Sequence, residues 1–292
     1  MPADDHCLAL VLSGGGSQGA YEVGALEVIL GDPALRKRGR HKLITGTSVG
    51  AINGAWVAMH GLEAGPELVK MWSELDDAQV AKERFLSPLS LAWSPSLYDT
   101  SPLRAYLTAR LKPSLMQDVE LAIVAVDLLS GKTASWSQRC SKARMLDGLM
   151  ASSAAPIFYP RENLEDGAWV DGGIYDVVPL RQAIDLGATE IDVVCTVSRR
   201  IPPWDGDPDR VWGNGPRVLE LMLRHMVEND LRACSLYNEL VHAGRAQHKR
   251  HVKINLIRPL ENLPLDARHF DPAGIAELIE IGKRDAREVF GI

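Results

Sequence analysis

The chain has 292 residues, 46% apolar and 24% charged, with a formal net charge of −6. That length and apolar content suffice for a sizeable buried core. The mildly acidic balance lacks the positive field that non-specific nucleic-acid binding needs, so neither DNA nor RNA is an expected partner. In chain order, Cys7 to Leu12 is a short apolar run ending in Ser13-Gly14-Gly15-Gly16, as suits a strand buried on both faces. Gly19 to Leu30 follows with helical spacing, Ala20, Val23, Leu26 and Leu30 lying on one stripe, and Gly31-Asp32-Pro33 stops it. Lys42 to Thr45 reads as a second strand and Val49 to His60 as a small-residue helix, a succession that points to an α/β fold with a largely parallel sheet.

Further on, Glu67 to Leu75 and Leu103 to Leu111 have helical spacing, the second expected to be capped by Ser101 with Pro102 at its first position. Leu121 to Asp127 and Thr133 to Ser137 flank Ser130-Gly131-Lys132, the signature of an antiparallel hairpin. Arg144 to Ala151 and Leu180 to Leu186 are expected helices and Ile191 to Val197 a buried strand. Gly215 to Gly244 reads as a long helix with one apolar face, His251 to Ile257 as a late strand and Pro272 to Phe290 as a closing amphipathic helix. Phe85 to Tyr98 and Arg199 to Asn214, broken by Pro and Gly, read as surface excursions within one domain spanning 1–292. Its motif-bearing core covers about 7–197, with the late helices and strand in 215–292.

Cys7, Cys140, Cys195 and Cys234 form no C-x-x-C pair, which suggests free thiols and neither a zinc site nor a redox motif. Met1 to His6 holds two Asp and no Lys or Arg, unlike a secretory leader. No run approaches the ~18 consecutive apolar residues of a membrane span. The expected location is cytoplasmic, with peripheral membrane contact left open by the apolar stretch around Leu86, Leu89, Leu91, Trp93 and Leu97.

Three glycine-rich motifs carry chemistry. In Gly46-Thr47-Ser48-Val49-Gly50 a serine falls between an apolar strand and a helix. Such an elbow exposes the hydroxyl and aims a helix N-terminus at developing negative charge. Chance supplies this motif often, so alone it is weak. Gly14-x-Gly16-x-x-Gly19 follows the first strand and opens a helix, as a dinucleotide-binding fingerprint does. That reading also needs an acidic residue at the end of the next strand, where this chain has Thr45-Gly46-Thr47-Ser48. Free backbone N–H groups at a helix start can equally stabilise an oxyanion. Asp171-Gly172-Gly173, after Ala168-Trp169-Val170, places a carboxylate at a strand end, where it can serve as the base a serine needs.

Together with Ala151-Ser152-Ser153-Ala154-Ala155-Pro156, these motifs resemble the patatin-like phospholipase family over roughly residues 7–197. The resemblance implies a three-layer α/β/α sandwich with a mostly parallel central sheet, and a Ser-Asp dyad without histidine. Carried over by position, Ser48 would be the nucleophile and Asp171 the base, with Gly14, Gly15 and Gly16 building the oxyanion hole. Gly19, Gly46, Gly50, Gly172 and Gly173 would support the turns. The implied activity is hydrolysis of acyl esters in phospholipids, lysophospholipids or other lipids, with no cofactor and no metal. Two departures bear on substrate: Gln18 stands where many members have Arg or Lys, and Asp176 where an Asn is frequent. Two rivals remain open, a Rossmann-type dinucleotide-binding protein and an α/β-hydrolase with a Ser-Asp-His triad. Oligomeric state is not encoded in any motif.

Overall fold

In the computed structural model, which describes residues 6–84, 93–116, 118–201, 203–204, 206–207, 211–245 and 250–292, the first apolar run forms strand β1 (Leu8–Leu12), buried at every position. Helix α1 (Gly19–Gly31) leads to β2 (Leu43–Thr47) and α2 (Val49–His60). Then come α3 (Ala64–Ser73), α4 (Ser101–Arg110), β3 (Glu120–Asp127), β4 (Thr133–Ser137) and α5 (Lys142–Ser152). A short hairpin, β5 (Glu162–Leu164) and β6 (Gly167–Asp171), precedes α6 (Leu180–Asp185) and β7 (Glu190–Val194). The chain closes with α7 (Val211–His242), β8 (Lys253–Ile257) and α8 (Pro272–Phe290).

The sheet runs β8-β7-β1-β2-β3-β6-β5, with β4 also on β3. Pairing is parallel from β8 through β3 and antiparallel for β4, β5 and β6. Alternation along each strand makes the layers. Leu10 and Leu12 pack with the α1, α2, α3 and α8 side, while Ala9 and Val11 pack with Val227 and Cys234 of α7 and with α6. The expected α/β/α sandwich with a mostly parallel sheet is the observed architecture.

Three local expectations shift. Strand β2 runs through Thr47, so it ends against the serine itself. Helix α4 starts at Ser101 and not after it: Asp99 accepts both the Ser101 N–H and its hydroxyl, and the position before the helix, Thr100, makes no side-chain cap. Helix α1 shows no single apolar stripe, because all its residues but Glu27 and Gly31 are buried beneath α3 and α8. The proposed contact residues Leu86, Leu89 and Leu91 lie outside the described residues.

Candidate active site

Register on β3 brings the motif residues together. Residues 122–124 pair with β4 on one edge and β2 on the other, and residues 125–126 pair with β4 and β6. Strands β2 and β6 therefore share one edge of β3 head to head, with Thr47 opposite Val124 and Asp171 opposite Ala125. The serine after Thr47 and the aspartate at the end of β6 must meet there.

Ser48 has φ 56° and ψ −127°, one of two non-glycine residues with positive φ among those described. That conformation costs on the order of 1–3 kcal/mol and persists only if neighbours enforce it. The enforcement is visible. A Cβ at Gly46 would lie 2.5 Å from the Gly50 carbonyl oxygen, and one at Gly50 would overlap the Ser13 carbonyl. The Ser48 N–H donates to Ser152 Oγ (2.8 Å), and that hydroxyl donates to the Val124 carbonyl (2.6 Å). Ser152, the last residue of α5, thus clamps the elbow to β3.

The Ser48 side chain lies near enough to the Asp171 carboxylate to lower its pKa. Asp171 is buried, and its Oδ1 also accepts the Gly173 N–H at 2.7 Å. Burial pushes this carboxyl up to about 6, against the opposing pull of the Gly173 amide and the Ser48 hydroxyl. Its own N–H is held by the Ala154 carbonyl (3.0 Å), from the small-residue segment 151–156. A Cβ at Gly172 would fall 2.6 Å from the Val124 oxygen, so this turn also needs its glycine.

The glycine turn lies over the serine, an added Gly14 Cβ standing 3.4 Å from Ser48 Cβ. Ser13 and Gly14 donate their N–H groups to the carbonyls of Val194 and Val177, both at 3.1 Å. Gly14 therefore shapes the turn and has no amide to offer a ligand. The N–H groups of Gly15 and Gly16 make no hydrogen bond among the described residues. Gly16 takes φ +56°, and a Cβ there would overlap the Ala267 carbonyl. Residues 265–267 cover the turn's outer side: Ser17 N–H reaches Ala267 O (2.9 Å), Ser17 Oγ reaches Asp266 O (2.9 Å) and Gln18 Nε2 reaches Leu265 O (3.0 Å). Gln18 is thus tied away from the serine. Gly19 lets α1 approach α2, since a Cβ would lie 2.5 Å from a Val49 methyl.

Three histidines are engaged elsewhere: His6 with Glu190 (3.1 Å), His41 with Asp192 (2.9 Å) and His269 with Asp77 (3.6 Å). A cleft of about 360 Å³ lined by Trp56, His60, Lys70, Tyr106 and Arg110 sits at the opposite end of α2 from Ser48 and holds none of the motif residues. Sequence reasoning missed Ser13, Glu22, Asn53, Ser152 and Thr196, all buried polar side chains around the turn and the elbow. Only the small-residue segment 151–156 hinted at one of them.

The family model for patatin-like phospholipases matches residues 10–184, over half of the chain and inclusive of every residue described above at the Ser48–Asp171 pair. The chain belongs to the patatin-like phospholipase family. This family member is 26% identical over 183 residues to a cGAMP-activated phospholipase of Pseudomonas aeruginosa, an alignment covering 58% of the chain and 53% of the relative. It is 28% identical over 215 residues to the uncharacterized protein YjjU of Escherichia coli, covering 68% and 55%. The chain thus spans about half the length of the curated relatives it matches. Among solved structures, VipD from Legionella pneumophila aligns at TM-score 0.46 and 12% identity, over 99% of this chain and 67% of that one. The ExoU–SpcU complex of Pseudomonas aeruginosa aligns at TM-score 0.37 and 12% identity, over 98% and 51%.

Proposed function

We propose that this chain is a lipid acyl hydrolase in which Ser48 attacks the ester and Asp171 is the base. The observation that carries this reading is the register on β3, which sets the strained Ser48 elbow beside a buried carboxylate pushed up to about 6. A carboxylate near neutrality can take a proton yet remain mostly ionised at pH 7. As Asp171 removes the proton, Ser48 Oγ bonds to the carbonyl carbon and the carbonyl oxygen becomes an oxyanion. The unspent amides of Gly15 and Gly16 would hold that charge, a contribution of about 10²–10³ in rate for each such donor. Collapse expels the alcohol with the proton from Asp171 and leaves an acyl-Ser48 ester. Water, deprotonated by Asp171, then releases the fatty acid.

Phospholipid or lysophospholipid is the favoured substrate class, in keeping with the family and with the Pseudomonas relative's name. Large exposed side chains border the site and support contact with a lipid surface. Ile174 and Tyr175 follow the Asp171-Gly172-Gly173 turn, Leu128 and Leu129 come after β3, and Ile157 sits just beyond the segment that holds Asp171. Trp93, 86% exposed, precedes a segment whose Leu97 and Tyr98 amides bond to the carbonyls of Ile157 and Phe158. The dinucleotide alternative fares poorly, because residues 265–267 lie on the glycine turn where a pyrophosphate would approach.

The test is fatty-acid release from mixed phospholipid vesicles, read by mass spectrometry. Wild-type protein should liberate fatty acid and Ser48→Ala should lose at least ~10³-fold, with an unchanged circular dichroism spectrum. Full activity in Ser48→Ala would end this reading.

A further inference from the structure

We infer that Thr196 is a positioning residue for the oxyanion amides: its hydroxyl locks the Gly14–Gly15 peptide so that the Gly15 N–H faces the reacting carbonyl, and Ser13 and Glu22 hold Thr196 in place. The inference rests on the reading of Gly15 and Gly16 as oxyanion donors. Its starting point is peptide planarity. The Gly14 C=O and the Gly15 N–H belong to one rigid unit and point in opposite directions, so a hydrogen bond to the first aims the second. A peptide between two glycines otherwise rotates at little cost.

Thr196 supplies that bond. Its Oγ1 donates to the Gly14 carbonyl at 2.7 Å. The contact is close enough to exclude any side chain at Gly15, whose Cβ would stand 2.6 Å from the same oxygen. Thr196 lies two residues beyond the end of β7 and is itself pinned: its N–H donates to Ser13 Oγ (2.9 Å), and its hydroxyl lies 3.2 Å from that oxygen. Ser13 Oγ reaches Glu22 Oε1 of α1 at 3.3 Å. The other Glu22 oxygen accepts from Asn53 Nδ2 of α2 (2.9 Å), and Asn53 is fixed by Trp72 Nε1 (2.9 Å) and by the Gly19 carbonyl (3.2 Å).

Ser13, Glu22 and Asn53 are completely buried and Thr196 is 3% exposed. A chain of polar groups through an apolar core is costly unless each member is satisfied, and here each is. What the chain connects is informative. One end holds the turn bearing the Gly15 amide, and the other end is in α2, the helix that Ser48 begins. The network therefore fixes the distance between nucleophile and oxyanion donors. Burial pushes Glu22 up to about 8, so at neutral pH the network carries a proton there and no buried net charge.

The experiment compares steady-state hydrolysis of a short-chain p-nitrophenyl ester by wild type, Thr196→Val and Thr196→Ser. Valine keeps the shape and removes the donor; serine restores it. Thr196→Val should lower kcat by about 10–100-fold, with KM within about twofold and an unchanged circular dichroism spectrum, because a misaimed oxyanion donor weakens only the transition state. Thr196→Ser should recover most of kcat. Wild-type kcat in Thr196→Val, a loss confined to KM, or an equal loss in Thr196→Ser would overturn the inference while leaving the Ser48 reading intact. If Thr196→Val does not fold, Ser13→Ala decides: it retains the Thr196 hydroxyl but loosens it and should lower kcat by about threefold or more, whereas wild-type kcat there overturns the inference. A wild-type chain without Ser48-dependent turnover would overturn both readings together.

Discussion

If Asp171 is the base, as proposed, it favours reactivity at the expense of stability. Its folded-state carboxyl is pushed up to about 6, above the ordinary aspartate value of 3.8, chiefly by burial. Between those two values the native state binds more protons than the unfolded chain, so stability falls as pH rises through that window. Asp171→Asn removes the buried charge. It should melt higher than wild type at pH 8, by on the order of 2 kcal/mol, and no higher at pH 4. Melting curves at the two pH values check this, and an Asn variant less stable at pH 8 would contradict it. The same group should set the acid limb of kcat/KM near pH 6, because only its ionised form accepts the Ser48 proton. Ser48 and Asp171 are legible in the sequence because fixed glycines surround them. Thr196 and Glu22 are not, since each is a lone polar residue whose partner arrives from a distant strand or helix, and Ser152 shows only as part of its small-residue segment.

At the scale of elements, α1 and α8 pack backbone against backbone. A Cβ at Gly24 would overlap the Ile279 carbonyl, and one at Gly282 would overlap the Tyr21 carbonyl, so each helix lays a glycine on the other's backbone. Tyr21 adds a buried hydrogen bond to Asp285 at 3.0 Å. Gly24→Ala should destabilise by roughly 2–4 kcal/mol despite alanine's better helix propensity, because the helices must separate. Chemical denaturation measures it; a stabilised variant would refute the close approach. The end of the chain was legible as a helix, Pro272 to Phe290, with those bounds. Its partner was not. Helix α1 reads as a one-sided amphipathic helix from spacing, yet α8 returns from the far end of the chain to bury its outer side. The β5–β6 hairpin, three and five residues long, was too short to carry a periodic signal beyond its apolar Ala168-Trp169-Val170.

For the whole molecule, the two ends of the sheet differ in character. Near the starts of the parallel strands, Arg38 pairs with Asp192 (2.8 Å) and Glu190 (3.1 Å), joined by His41, Lys253 and Asn255. Burial pushes Asp192 up, but hydrogen bonds from His41 and Arg38 outweigh it and hold that carboxyl down at about 2. The C-terminal ends carry the glycine turn, Ser48 and the apolar side chains around it, as open parallel sheets place their sites. The parallel order was legible from alternating strands and helices, whereas the head-to-head meeting of β2 and β6 on β3 depends on an antiparallel register no motif encodes. If that edge meets lipid, Leu129→Asp together with Ile157→Asp should cut vesicle hydrolysis about tenfold and leave a soluble ester's hydrolysis unchanged. Equal rates on vesicles would remove the interfacial role. The central claim is that Ser48 is the nucleophile. Treatment with an alkyl fluorophosphonate, which loses fluoride as serine oxygen bonds to phosphorus, followed by peptide mass spectrometry, tests it most directly. One adduct is expected, on Ser48, in step with loss of esterase activity; inactivation with Ser48 unmodified would contradict this role.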